Sequence, residues 1–398
     1  MQHLSSNTLP EVDAASAEHS ERVARYVADK ITDNGGSISF ATYMHDVLYA
    51  PGLGYYSAGA TKFGASGDFT TAPETSSLFG YVLARQCADV LQTIAAGGSP
   101  ASILEFGAGS GKLAADLLTR LADFDALPDQ YLILEVSADL QARQAAFLEE
   151  TVPQHAQRVR WLAGVPDSHH GVVIANEVLD ALPVERFVRR DDHVAQLCVS
   201  NAENGFVFTE REAPPPLTAA VASIETSLGE RLPDGYCSEV CLAAPAWITK
   251  IAASLKKGIA FLFDYGVSRH EFYAADRSDG WLRCHFRHHA HSNPLILPGI
   301  QDITAWVDFS AVADAAAASG LSVDGFVSQA HFLMNGGLAD EMTGFTELAP
   351  AAQLQLSAQV KLLTLPGEMG ENFKCLGVSR GLDSRPAALA SMDRTYSL

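Results

Sequence analysis

ILEFGAGSGKLAADLL, residues 103–118, is the stretch whose reading decides the fold. Apolar residues run to Phe106, glycines stand at 107, 109 and 111, and a helical pattern of Leu and Ala begins at once. This is a strand, a tight turn and a helix. Glycine is needed where backbone turns sharply and lies against a ligand, and the helix N-terminus then offers free N–H groups. The spacing separates cofactor classes. A dinucleotide fingerprint, G-x-G-x-x-G, requires glycine or alanine at 112, whereas this chain has Lys112 and its third glycine is Gly111. A NAD-dependent dehydrogenase is therefore disfavoured. The plain alternative is three glycines in an ordinary strand-to-helix turn that binds nothing.

Working outward, ASILEF, GKLAADLLTRLA, QYLILEV, SADLQARQAAFLEE, RVRWLAG and GVVIANEV alternate β-rich runs with helical patterns over 101–178. That alternation predicts βαβ units and a parallel α/β sheet, whose central strands are apolar on both faces. QYLILEVS carries Glu135 at its tip, 24 residues beyond Gly111. A carboxylate there accepts both hydroxyls of a ribose, or else favours the dipole of the following helix without any ligand. Together with the glycines, ribose binding is preferred. The arrangement Glu105-x-Gly107-x-Gly109-x-Gly111 looks like motif I of Rossmann-like methyltransferases that bind S-adenosylmethionine. Glu105, Gly107, Gly109, Ser110, Gly111 and Glu135 are thus cofactor-binding candidates, with Asn176 and, from the glycine-rich stretch 52–80, Pro73.

The fourth apolar run ends in ANEVLDALPVERF, which sets Asn176 and Glu177 at the carboxyl edge of the sheet, where ligands sit in open α/β folds. Glu185 lies eight residues beyond Glu177 across Ala181-Leu182-Pro183, so a chain reversal would bring two carboxylates to one pocket, suited to a guanidinium fork. Alternatively Glu185 belongs to the exposed face of the next strand. Asp264, in FLFDYG, ends the following strand and either faces the pocket or caps a turn. Asn176, Glu177, Glu185 and Asp264 are the catalytic candidates. WLRCHFRHHAHSNP gathers Cys284 with His285, His288, His289 and His291 in one loop, but paired ligands at a second chain position, usual for tetrahedral zinc, are missing, so no metal is assigned and a substrate-facing loop is preferred. Cys237 and Cys241 read as small apolar residues on one helical face.

Elsewhere the patterns predict an amphipathic helix through Val23, Tyr26, Val27, Lys30 and Ile31, a second short helix before Pro51, and an unpatterned loop, from about 59 to 74, that closes over the cofactor. Alternating stretches between Pro183 and about Arg211 predict an antiparallel insertion, followed by helices at 218–228 and 238–256, a buried strand at 259–264, an irregular stretch at 266–301, a helix in 302–320, and late strands in LSVDGFVSQ and FKCLGVSR. The resulting division is 1–85 (helical region and cofactor-covering loop), 86–380 (catalytic domain with an insertion at about 184–235) and 381–398 (tail). The 398 residues are 47% hydrophobic and 19% charged, enough for a large core. With 27 Lys and Arg against 47 Asp and Glu, the net charge of -20 argues against a nucleic-acid partner. No apolar run is long enough to insert in a membrane. Six cysteines without a pairing pattern, and an N-terminus without an apolar signal core, lead us to expect a cytoplasmic location.

Taken together, GLGYYS, SGDFTTAPETSSLFG, LEFGAGSGKL, ANEVLDALP, FLFDYG, LRCHFRHHAH and GIQDITAWVDF resemble, in identity and order, the MidA family of class I methyltransferases. That family includes the mitochondrial arginine methyltransferase that assists assembly of respiratory complex I. The resemblance runs from about residue 20 to about 380. It implies a seven-stranded Rossmann-like sheet, an N-terminal region covering S-adenosyl-L-methionine, and an insertion shaping the substrate site. It also implies methyl transfer to an arginine of a protein, with a complex I subunit as one possible acceptor. The family's acidic strand-two residue falls on Glu135, and its N-E-x-x-D-A-L-P segment on Asn176 through Pro183. Two departures are expected from the sequence, an N-terminus that does not read as a transit peptide and the histidine density of HHAH. A chaperone or scaffold that binds the cofactor with little catalysis is the alternative, and homo-oligomerisation is left open.

Overall fold

Apolar runs flanking the glycine loop become the parallel centre of an eight-stranded sheet in the computed structural model, which describes residues 9–57 and 71–398. Seven strands lie on its main path: Ser102–Phe106 first, then Gln130–Leu134, Val159–Leu162, His169–Asn176, Leu255–Val267, Ser322–Ser328 and Phe373–Arg380. Their spatial order is third, second, first, fourth, fifth, seventh, sixth. Pairing is parallel from the third strand to the fifth, and the seventh runs antiparallel to both its neighbours. The order reverses between the first and fourth strands, the switch point beside which α/β sheets bind ligands at their carboxyl ends. This is the seven-stranded sheet that the resemblance implied. Apolar residues of both faces, among them Ile103, Ile133, Val172, Ile174 and Phe261, are buried against helices, as a doubly covered sheet requires.

The chain divides into two units. One contains this sheet and comprises Thr70–Leu179, Pro245–Ser268 and Val307–Leu398. The other comprises Met1–Phe69, Asp180–Ala244 and Arg269–Trp306. The boundary read at residue 85 falls inside the helix Ser77–Ala96, and the insertion at 184–235 is part of a unit drawn from three chain segments. The tail 381–398 packs within the unit of the large sheet. Leu389 is fully buried, leaving no room for a Cβ at Gly325 or Gly377, and Asp393 accepts from the Phe326 amide at 3.0 Å.

In the first-named half of that pair of units the expected parallel core holds; in the other, the antiparallel insertion does. Glu185–Arg189, Val194–Ala202 and Gly205–Glu212 pair antiparallel, Ile38–Ser39 adds to one side of Val194–Ala202, and the helix Ala14–Asp33 buries Val23, Val27 and Ile31. Three expectations need correction. Cys237–Val240 is a strand paired with Glu185–Arg189, so Cys237 and Cys241 share no helical face, and the helix behind them is only Ala244–Ser254. Four residues carry too little periodicity to separate strand from helix, and here pairing decides. The stretch 266–301 is not irregular throughout: Leu282–Phe286 and His289–His291 form a hairpin, and Leu282–Phe286 also pairs with Asp302–Ala305. Its two-residue turn, Arg287 and His288, has φ of 48° and 62°, without the Asn-Gly or Asp-Gly that usually announces such a turn. Finally, 302–308 is extended, and the helix starts only at Phe309, where Asp308 caps it by accepting from the Ala311 amide at 3.1 Å.

Candidate functional site

Three chain turns at the carboxyl ends of the first, second and fourth strands build the site, all within the unit that contains the large sheet. Beyond Phe106 the Gly107 amide donates to Leu134 O at 3.0 Å, binding the loop to the second strand. Gly107, Gly109 and Gly111 have φ of 61°, 56° and 87°. A Cβ would meet nothing nearer than Val178 Cγ2 at 3.5 Å at Gly107 and Phe147 Cδ1 at 3.5 Å at Gly111, both ordinary contacts. Left-handed backbone, rather than crowding, therefore demands glycine at these two positions. Gly111 caps the helix Lys112–Asp123. Ser110 Oγ donates to Glu74 of the short helix Ala72–Thr75, which also contains buried Pro73, and accepts from the Lys112 amide at 3.2 Å. Lys112 turns its ammonium to Asp116 at 2.6 Å and Ser77 at 2.7 Å. The expected closing loop lies outside the described residues over 58–70.

Glu135 follows the second strand and is buried. Its Oε1 accepts from the Ser137 amide at 3.0 Å and its Oε2 from Gln144 Nε2 at 3.4 Å, while burial raises its carboxyl above the usual range. A carboxylate has about four acceptor positions, and Gln144 with the neighbouring backbone amides does not exhaust them. Glu105 stands beside it on the first strand, buried, with Oε2 accepting from Tyr131 Oη at 2.7 Å, and burial pushes its carboxyl up to about 7. Two carboxyls of raised proton affinity near one glycine loop favour a cationic, donor-rich ligand.

At the end of the fourth strand Asn176 Nδ2 donates to Glu177 Oε1 at 3.1 Å, and Asn176 Oδ1 is buried with no hydrogen-bond partner. Glu177 takes φ of 54°, costly for a residue with a Cβ, and its amide donates to Phe263 O at 2.9 Å. Asp264 maintains this turn. Fully buried, its Oδ2 accepts from the Val178 and Leu179 amides at 3.2 and 2.9 Å, and its Oδ1 from the Tyr265 amide at 2.9 Å. Of its two readings the geometry matches the turn-holding one. Glu185 opens a strand of the other unit, half-buried, and accepts from Gln196 Nε2 at 2.9 Å. His285, His289 and His291 occupy the hairpin strands and His288 its turn, and among the described residues no group of three or more His, Cys, Asp or Glu is arranged to hold a metal ion. Sequence reasoning missed Gln144, Trp161, Tyr131 and Glu74. Gln144 and Trp161 lie in ordinary helix and strand patterns, without any local signal.

S-adenosylmethionine presents a ribose diol and an ammonium group as donors, together with a positive sulfonium. Against these stand acceptors: the Glu135 carboxylate, the unpartnered Asn176 Oδ1, and the backbone of the loop at exposed Gly107. The residues fit that cofactor. The fold and this site define a class I methyltransferase. Residues 82–327 match the family described as "Putative S-adenosyl-L-methionine-dependent methyltransferase", and the chain belongs to it; its cofactor is S-adenosyl-L-methionine. A COG1565 superfamily member from Burkholderia thailandensis, solved bound to S-adenosyl-homocysteine, is 41% identical to this chain with a TM-score of 0.90, covering 98% of this chain and 100% of that one. The mitochondrial protein arginine methyltransferase NDUFAF7 of Danio rerio is 29% identical over 93% of this chain and 91% of its own length. Its Mus musculus counterpart is 31% identical over 88% and 82%.

Proposed function

We propose that this methyltransferase acts on an arginine of a protein, and that a respiratory complex I subunit is its acceptor. Two named relatives and the motif resemblance support the substrate class. The observation that carries the chemistry is Glu177, held in left-handed backbone at the carboxyl edge of the sheet with Asn176 on its Oε1. The cofactor supplies an electrophilic methyl on sulfur; everything else falls to the protein. A guanidinium is cationic at ordinary pH, so its attacking nitrogen must shed a proton as the new N–C bond forms. In this reading Glu177 draws the guanidinium charge away from the attacking nitrogen and accepts that proton, Asn176 orients Glu177 and meets the cofactor through Oδ1, and Glu135 takes the ribose hydroxyls. Fixing the two reactants in line is worth about 7 kcal/mol or more. The test is mass spectrometry of proteomes from cells with and without the protein. One methyl-arginine lost with the protein and restored by the purified enzyme supports the reading. Methylation restored on a residue other than arginine overturns it.

A further inference from the structure

Gln144 is fully buried on the helix Ala138–Thr151, and all of its amide is engaged. Nε2 donates to Gly109 O at 2.9 Å and to Glu135 Oε2 at 3.4 Å, and Oε1 accepts from Trp161 Nε1 at 2.8 Å. An indole nitrogen only donates, and carbonyl and carboxylate oxygens only accept, so Trp161 dictates which end of the amide faces the site. One side chain thereby ties the glycine loop to the strand-two acid across 35 and 9 residues of sequence. Gln141, one turn earlier, donates to Glu135 O at 2.7 Å, so the same helix grips this acid by backbone and carboxylate alike.

We infer that Gln144, oriented by Trp161, is a positioning residue for cofactor recognition: it sets the distance between the glycine loop and Glu135 and turns the Glu135 carboxylate so that its remaining acceptor positions meet the ribose diol. Gln144 does not itself touch the reacting groups. The inference rests on the reading of Glu135 as the ribose acceptor. An amide bound to Glu135 Oε2 limits rotation of the carboxylate, and the Ser137 amide on Oε1 completes the restraint. Without Gln144 only backbone amides restrain the carboxylate, and the entropy of ordering its Oε2 opposes each binding event.

The experiment measures binding of S-adenosylhomocysteine and of its 2′,3′-dideoxy analogue by calorimetry, with thermal unfolding recorded alongside. Wild-type protein should favour the diol by about tenfold or more. Q144L should lose roughly tenfold or more affinity for S-adenosylhomocysteine beyond any loss it shows for the analogue, erasing the preference. W161F keeps an aromatic ring at this position and removes the orienting donor together with part of the indole; it should weaken the preference in the same direction and by less, and Q144L/W161F should show no smaller preference than Q144L. Should Q144L fail to fold, W161F alone decides, by whether the diol preference falls. A diol preference retained in both variants, or equal loss for both ligands in step with lowered stability, overturns the positioning role alone. A wild type that does not distinguish the ligands overturns the ribose reading of Glu135, and this inference with it.

Discussion

Glu105→Gln probes the electrostatics beneath the cofactor site. Glu105 is buried, and burial is the dominant cause of its raised proton affinity; the Tyr131 hydroxyl bond opposes the shift and the nearby Glu135 charge adds to it, leaving the carboxyl at about 7 in place of 4.5. The folded chain therefore binds this proton more tightly than the unfolded chain. The stability contributed is complete below about 4.5 and is lost as pH rises through about 7, which at ~1.4 kcal/mol per pH unit amounts to about 3 kcal/mol. An amide has nearly the same shape and does not titrate. The variant should match the wild type near pH 4.5 and exceed its stability by up to about 3 kcal/mol at pH 8, most of the gap opening between 5 and 7. Urea unfolding followed by tryptophan fluorescence, at matched pH values for both proteins, reads this directly. A wild-type-to-variant difference that stays constant from pH 4.5 to 8 would refute the reasoning, because only an ionisation shared unequally between folded and unfolded states gives it a slope.

Four further outcomes are expected. Glu177→Gln should retain fold and cofactor affinity and lose most methyl transfer, since an amide neither balances a guanidinium nor takes its proton; single-turnover methylation beside thermal unfolding checks it, and an active but destabilised variant would count against the proton-accepting role. Glu135→Ala should weaken S-adenosylhomocysteine binding by roughly 1.5–3 kcal/mol for each ribose bond removed, so unaltered affinity in calorimetry would contradict the assignment. Gly111→Ala puts a methyl on backbone with φ of 87°, where space is available and conformation is not; a stability loss of about 1–2 kcal/mol should appear in chemical denaturation. Asp264→Asn leaves at least one of three buried backbone donors badly matched and should cost about 2 kcal/mol of stability. If that variant proves as stable as wild type yet inactive, Asp264 belongs to the reaction itself rather than to the turn.

How far the site was legible follows from the range over which each signal acts. The glycine spacing and Lys112 announce a strand, a turn and a helix because left-handed backbone selects glycine residue by residue, and the φ values at 107, 109 and 111 bear this out. Apolar runs on both sides of that turn likewise carry their own period, so the strands through Asn176 and the acids at their tips were found without knowing what lies next to them. The His-rich hairpin was not found, because Arg287 and His288 take left-handed backbone that neither residue type announces.

The amino-acid sequence alone determined the parallel βα core, the glycine loop and the positions of Glu105, Glu135, Asn176 and Glu177, since each depends on residues within a turn or two of itself. Only the tertiary structure decided that Cys237–Val240 is a strand, that three separated segments make one unit, that Asp264 spends its oxygens on the turn carrying Glu177, and that Gln144 joins loop to acid under the direction of Trp161. Pairing partners, buried amides and their orientation depend on groups tens to hundreds of residues away, and no local period or propensity records them.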